Sequence, residues 1–296
     1  MAAFFLAPLL VGVINKTKAA FAGRKGPSVF QSYYDLWKLL QKGAVYSATT
    51  TWAFRLGPMV ALAAVVVAVL LFPLGGVAAP LNFPGDIFLL LGLLAVARFA
   101  TIVAALDTGS SFEGMGAARE ASFTAIAEPA LFLAVVTLAL VSGALSLSGM
   151  TAGIGFDTWT SGQGPALALA AFALFLVLLA ENARIPVDDP NTHLELTMIH
   201  EVMVLDHGGP DFAYIQYGAA LKLWLFSSLL VMLLVPVHTP SLALNLAVYL
   251  GSVLFVGVVI GVVESTMARI RMVQTPQLLW SAGGLGALSV ALALVG

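Results

Sequence analysis

Cysteine is absent from the chain, and its absence excludes disulfides, thiolate zinc sites and iron–sulfur ligation by this polypeptide at once. Charge is nearly as scarce: 9% of the 296 residues are charged against 60% hydrophobic, where soluble domains carry about a quarter charged. With a mean hydropathy of +1.00, a water-soluble fold is excluded, and recurring apolar runs of about 20 residues leave no length for a sizeable extramembrane domain. Residues 1–296 are therefore read as one polytopic membrane domain. Basic residues number 13 against 15 acidic ones, so nucleic-acid binding has no electrostatic footing. The first apolar run, Ala2 to Val13, has no basic residue ahead of it and no small-residue cleavage site followed by a soluble stretch; it is read as a first transmembrane helix, not a removed signal. No internal repeat, low-complexity tract, phosphate-cradling loop or inverted pair of broken helices is found.

What is present is a series of spans. Runs able to cross a bilayer fall at Ala2 to Ala22, Gly57 to Ala79, Ile87 to Leu106, Thr124 to Leu147, Ala166 to Asn182, Phe212 to Val235, Pro240 to Glu264 and Gln277 to Val295. The expected fold is an all-α integral membrane protein of about eight transmembrane helices. Lys16, Lys18, Arg24, Lys25, Lys38, Lys42 and Arg55 lie in or beside the first loop, Arg119 in the third, Arg184 in the fifth, and Arg269 and Arg271 in the seventh; even-numbered loops hold none. The positive-inside rule then makes odd loops cytoplasmic and leaves both termini outside. The expected location is a cell's inner, cytoplasmic membrane. Gly257 and Gly261, and the group Gly283, Gly284 and Gly286, read as small residues that let helices approach.

Two loops carry amphipathic helices. Ser28 with Gln31 forms a capping-box pattern, after which Phe30, Tyr33, Tyr34, Trp37 and Leu40 recur at helical spacing opposite Gln31, Asp35, Lys38 and Lys42. In the fifth loop Thr192 and Glu195 repeat the pattern, and Leu194, Met198, Ile199, Val202 and Leu205 supply an apolar stripe ending near Gly208.

Acidic residues carry the chemical information. Asp107, Glu113, Glu120 and Glu128 crowd around the entry to the fourth span, and Glu181, Asp188, Asp189, Glu195, Glu201, Asp206 and Asp211 crowd between the fifth and sixth. An unpaired charge at the bilayer centre costs at least about 2.5 kcal/mol, so carboxylates persist there only with a partner, water or a proton pathway. Glu128, inside an apolar segment and followed by Pro129, is read as functional. Glu120 is either a headgroup-level charge or the next proton station, and Glu181 is accounted for by an ion pair with Arg184, three residues on. Lys222, about ten residues into an apolar stretch, is too deep to snorkel easily, whereas Arg98 lies closer to a helix end and snorkelling competes. Glu264 reads as interfacial, and the capping box alone explains Glu195. His193, His200 and His207 share a helix face but stand about 10 Å apart per step, too far to grip one metal ion.

Gly23-Arg24-Lys25-Gly26-Pro27 with Gln31, Tyr34-Asp35, Lys38-Leu39 and Lys42 resembles the first cytoplasmic loop of the complex I family of membrane subunits that sit at the junction with the hydrophilic arm. The run from Glu181 to Glu201, Glu-Asn-Ala-Arg-Ile-Pro-Val-Asp-Asp-Pro-Asn-Thr-His-Leu-Glu-Leu-Thr-Met-Ile-His-Glu, is more specific. It resembles the homologous membrane subunit of formate hydrogenlyase and other group 4 energy-converting nickel–iron hydrogenases. The resemblance implies a subunit without a redox centre of its own. Such a subunit anchors the hydrogenase large and small subunits of a hydrophilic arm, which carry the nickel–iron and iron–sulfur centres, and it works with antiporter-like membrane partners to move protons or sodium. Arg24, Lys25, Gly26, Pro27, Gln31, Asp35, Lys38, Arg184, His193 and His200 would face that arm. Glu120, Glu128, Glu181, Asp188, Asp189, Glu195, Glu201 and Lys222 would be the ion-coupling set. Complex I relatives also help to form a quinone chamber, but this fifth loop follows the hydrogenase pattern, which does not imply quinone chemistry. Two other readings stand beside this one: a quinone-site subunit of a complex I-type oxidoreductase, and a self-sufficient cation transporter.

Overall fold

The computed structural model describes residues 2–188, 198–236 and 239–295. Its helices are, in chain order, α1 (Ala2–Phe21), α2 (Gln31–Leu40), α3 (Trp52–Leu70), α4 (Asp86–Asp107), α5 (Ser111–Ser142), α6 (Leu147–Gly153), α7 (Phe156–Thr160), α8 (Gly164–Glu181), α9 (Gly209–Leu234), α10 (Leu242–Thr266) and α11 (Thr275–Val295). Among the described residues eight helices are long and apolar enough to cross a membrane, and the only strand-like pairing is one bridge between Leu74 and Val77. The chain is an all-α, multi-pass membrane protein. Backbone polar groups have no water to bond in hydrocarbon, so each crossing closes its hydrogen bonds within a helix.

Three boundaries stand well away from the hydropathy reading, each for a reason of capping or packing. Helix α3 begins at Trp52 and not Gly57, because the Thr51 side chain caps the Ala53 N–H at 3.2 Å. The Asp107 carboxylate accepts from Thr51 N–H at 2.6 Å, Thr51 Oγ1 at 2.8 Å and Phe54 N–H at 3.2 Å. The same helix stops at Leu70; Gly75 and Gly76 then take positive φ values of 50° and 88°, and their backbone packs on Asn245 of α10, where a Cβ would not fit. Helix α5 begins at Ser111, well ahead of Thr124, and runs 32 residues through Pro129. Glu113, Arg119 and Glu120 lower the local hydropathy, but Glu113 and Glu120 are buried, and Arg119 Nη1 donates to the Met198 carbonyl at 3.0 Å.

Helix α9 is the axis of the bundle, with an almost unbroken buried run from Ala220 to Leu233. It touches α1, α2, α3, α8 and α10. Helices α5, α8 and α11 form a three-helix side packed on one another, and α3 with α4 forms another. Small residues permit the closest approaches: a Cβ at Gly257 would sit 2.6 Å from Leu10 Cδ1 and one at Gly261 2.7 Å from Thr17 Cβ, both on α1. Of the C-terminal glycines only Gly286 is used this way, against Leu133; Gly283 and Gly284 face open space.

The first-loop helix forms as α2, none of whose residues is buried, but its capping box does not. Ser28 Oγ accepts from the neighbouring Phe30 N–H at 3.3 Å, and Gln31 Nε2 donates instead to Asp35 Oδ1 at 2.9 Å. The expected second amphipathic helix falls largely on residues 189–197, outside the described residues. The part described is a single 3-10 turn, Glu201–Val204, laid on α5 so closely that a Cβ at Gly116 would collide with Val202 Cγ1. Gly116→Val is expected to push this segment off α5 at a cost of about 1–3 kcal/mol; thermal unfolding and limited proteolysis near residue 200 in detergent measure it, and an unchanged cleavage pattern with unchanged melting would contradict the packing described.

Candidate functional site

Four spans and one loop converge on a single charge cluster inside the bundle. Arg98 from α4 is its centre. Its Nη2 donates to both carboxylate oxygens of Glu181 on α8, at 2.8 and 2.9 Å, and its Nη1 donates to Glu128 on α5. Its Nε lies 3.7 Å from Glu120 Oε1, also on α5. Lys222 from α9 closes the far side, with Nζ 2.8 Å from Glu181 Oε2. His200 enters from the fifth loop and sets Nε2 3.3 Å from Glu120 Oε1.

Helix periodicity makes this convergence possible. Glu120 and Glu128 lie about two turns apart and so fall near one face of α5, while α8 delivers Glu181 from its last helical residue. The bidentate fork of a guanidinium matches a carboxylate and remains charged when buried. Arg98 therefore does not snorkel towards a helix end; it turns inward to three acids. Glu181 likewise does not pair with Arg184 on its own helix end. Arg184 joins a second cluster, with Nη1 3.3 Å from Glu264 Oε1, and Lys18 Nζ lies 2.7 Å from Glu264 Oε2. Glu264 is thus buried between two cations and is not an interfacial charge.

Other predicted positions fall into distinct places. Asp188, fully enclosed, pairs with Arg269 at 2.8 Å and accepts from the Ile199 and His200 N–H groups at 3.0 and 3.3 Å. It therefore holds the backbone that carries His200 into the cluster. Glu201 opens the 3-10 turn. Asp189, His193 and Glu195 lie outside the described residues. Arg24, Lys25, Gly26, Pro27, Gln31, Asp35 and Lys38 form an exposed first-loop surface, whereas Arg184 and His200 point inward. The described histidines do not share a helix face: His207 stacks on the Phe54 ring at a centroid distance of 3.9 Å, far from the contact that His200 makes. No group of three or more His, Cys, Asp or Glu among the described residues is placed to hold a metal ion.

The cluster sets two basic side chains, Arg98 and Lys222, against three carboxylates. A proton on His200 supplies the missing positive charge. Burial pushes the His200 imidazole down, but the adjacent Glu120 carboxylate outweighs it and the net shift is upward from 6.5. A proton held more tightly in the folded state stabilises that state. The contribution is complete below the ordinary imidazole value and is lost as pH rises through the raised one. What the arrangement can do chemically is hold and pass a proton among carboxylates and an imidazole, and connect that charge state to the loop carrying His200.

The chain resembles known proteins over nearly its whole length. A family model described as "NADH dehydrogenase" matches residues 1–295. Formate hydrogenlyase subunit 4 of Escherichia coli K12 is 32% identical over 290 residues, covering 95% of this chain and 92% of that protein. Hydrogenase-4 component C of the same organism is 32% identical, covering 96% and 90%. An NADH-quinone oxidoreductase subunit of Verminephrobacter eiseniae is 27% identical over 74% of this chain and 64% of that protein. A chain in the structure of the membrane-bound sulfane sulfur reductase, an archaeal respiratory membrane complex, superposes with a TM-score of 0.86 over 99% of this chain and 96% of its own length, at 23% identity.

Two outcomes are expected. Arg98→Gln removes the shared partner of three acids and should destabilise the protein by about 3–5 kcal/mol at neutral pH, with part of the loss recovered in the Arg98→Gln/Glu181→Gln double variant; thermal unfolding of the purified protein measures both. The stability advantage of the native chain over His200→Gln should be greatest near pH 6 and should shrink at higher pH, as followed by melting temperature across a pH series. An advantage that grows with pH would reverse the assignment of charge to His200.

Proposed function

The chain belongs to the NADH dehydrogenase family, and within it we propose that this protein is the membrane anchor and ion-coupling subunit of a membrane-bound nickel–iron hydrogenase or formate hydrogenlyase complex. The observation that carries the proposal is the Arg98 cluster on a chain 32% identical, nearly end to end, to formate hydrogenlyase subunit 4 and hydrogenase-4 component C. Redox chemistry belongs to partner subunits: a chain without cysteine offers no thiolate for nickel–iron or iron–sulfur centres. The hydrogenase large and small subunits dock on the odd-loop side, which is cytoplasmic, and antiporter-like subunits lie beside the bundle in the cell's inner membrane. Both termini are outside.

In this reading the exposed first-loop residues Arg24 to Lys38 and the fifth loop meet the arm. Displacement of residues 198–205 by the docked arm withdraws or presents His200 at Glu120 and so changes the charge the cluster must balance. Glu120, Glu128, Glu181 and Lys222 then take up or release a proton, or exchange it against sodium. Asp188 acts by positioning His200, and Asp189, Glu195 and Glu201 complete the proposed ion-coupling set. A quinone-site role in a complex I-type enzyme is the second reading, supported by the 27% identity to an NADH-quinone oxidoreductase subunit.

Affinity purification in mild detergent separates the readings. The expected result is co-purification with a nickel-containing large subunit and hydrogen- or formate-dependent activity without added quinone. A nickel-free, quinone-dependent assembly would select the second reading, and a chain that runs alone and moves cations in liposomes would reject both. Glu128→Gln should lower coupled ion movement in proteoliposomes by at least about tenfold if its proton exchange contributes as general acid–base groups do, with assembly retained; unchanged coupling would remove Glu128 from the pathway.

A further inference from the structure

The charge cluster occupies one side of α9, and the opposite side of the same helix holds a polar set that the coupling role does not use. Ser228 Oγ donates to the Trp224 carbonyl at 2.8 Å and lies 2.6 Å from the Tyr249 hydroxyl on α10. All three residues are buried. The Trp224 indole N–H faces the same hydroxyl yet, among the described residues, makes no hydrogen bond of normal geometry. Leaving such a donor unsatisfied costs about 1–3 kcal/mol, and hydrocarbon offers it nothing.

Two cavities flank this pair. The first, about 40 Å³, is lined by Gly75, Gly76, Thr151, Met232 and Asn245 together with Ser228 and Tyr249. The second, about 20 Å³, is lined by Trp224 and apolar side chains of α1 and α3, again with Ser228 and Tyr249. A cavity needs about 10–15 Å³ and polar partners to hold a water molecule, and both meet that requirement. The first lies where α9 ends and α10 begins, at the end of the bundle opposite the basic loops. From Val235 to Trp224 the helix rises about 16 Å, roughly half of a 30 Å hydrocarbon core.

We propose that these cavities hold bound water and form a hydrated inlet running from the even-loop end of the bundle to Trp224 at mid-depth, with the Ser228–Tyr249 hydroxyl pair as its neck. Water in the second cavity satisfies the indole N–H, and water in the first bridges the hydroxyl pair to Thr151 and Asn245. Trp224 and Ser228 stand about 200° and 240° around α9 from Lys222, so the helix itself separates the water from the charged cluster at nearly the same depth. The inlet is independent of any hydrogenase partner.

Hydroxyl radicals generated by X-ray radiolysis in the full-length protein, reconstituted in nanodiscs, label side chains beside bound water even when bulk solvent cannot reach them. Met232, Tyr249 and Trp224 are expected to oxidise at least tenfold faster than Met150, which is fully buried and lines neither cavity. Ser228→Val should fill the neck, reducing labelling of Trp224 several-fold while leaving Met232 unchanged. Labelling of all three native residues no faster than Met150 would overturn the inlet. Undiminished Trp224 labelling in Ser228→Val would overturn the assignment of the neck. The native comparison decides the existence of the water even if the variant fails to fold, and none of these measurements depends on hydrogenase or coupling activity.

Discussion

A guanidinium inside a bilayer is the constraint on which the rest of this structure depends. Arg98 is permanently charged, and hydrocarbon gives it nothing to bond. Satisfying it requires carboxylates from different helices at one depth, and α5 and α8 supply them. Those carboxylates overcompensate, so Lys222 arrives from α9 and His200 from the fifth loop. The register of four helices and the path of one loop follow from a single side chain that cannot be left alone. The same logic recurs at smaller scale around Glu264, where one buried carboxylate draws together α1, α10 and the segment after α8.

Because the cluster is assembled across helices, it ties together parts of the chain distant in sequence. Asp188 connects Arg269, beyond α10, to the backbone of His200, and Arg119 of α5 holds the carbonyl of Met198. The described ends of the fifth loop are thus fastened to separate parts of the bundle. Any partner that pulls on that loop acts on a residue in direct contact with Glu120. Energetic coupling across a distance needs such an element with alternative arrangements, and the 3-10 turn seated on Gly116 is a natural one.

The eight spans and the first-loop helix are legible in the sequence because hydropathy and helical period act locally. Glu128 and Lys222 are recognisable as charges inside spans, since depth alone is enough to mark them. Charges whose partners are remote are not. Arg98 reads as able to snorkel because its acids lie on α5 and α8, and Glu181 reads as paired with Arg184 because that neighbour is near in sequence. Helix α5 reads as short because its polar first turns are covered by residues 198–205, a tertiary contact with no local signature. Glu264 is hidden for the same reason, although Lys18 and Arg184 both fall at the same end of the bundle. The histidines read as a helical stripe, but a 3-10 turn has a different period and sends His200 and His207 to different partners.

Glu128 differs from its companions in one respect. Its side chain is 48% open on the flank of the bundle while its carboxylate holds Arg98. Acyl chains offer no hydrogen bond to such a group, so in a bilayer its open side is satisfied only by water and headgroups drawn inwards or by a neighbouring polar surface. In the proposed complex a neighbouring subunit packed on α5 would take over that contact, so this half-exposed acid marks the flank of the bundle that gains most from being covered.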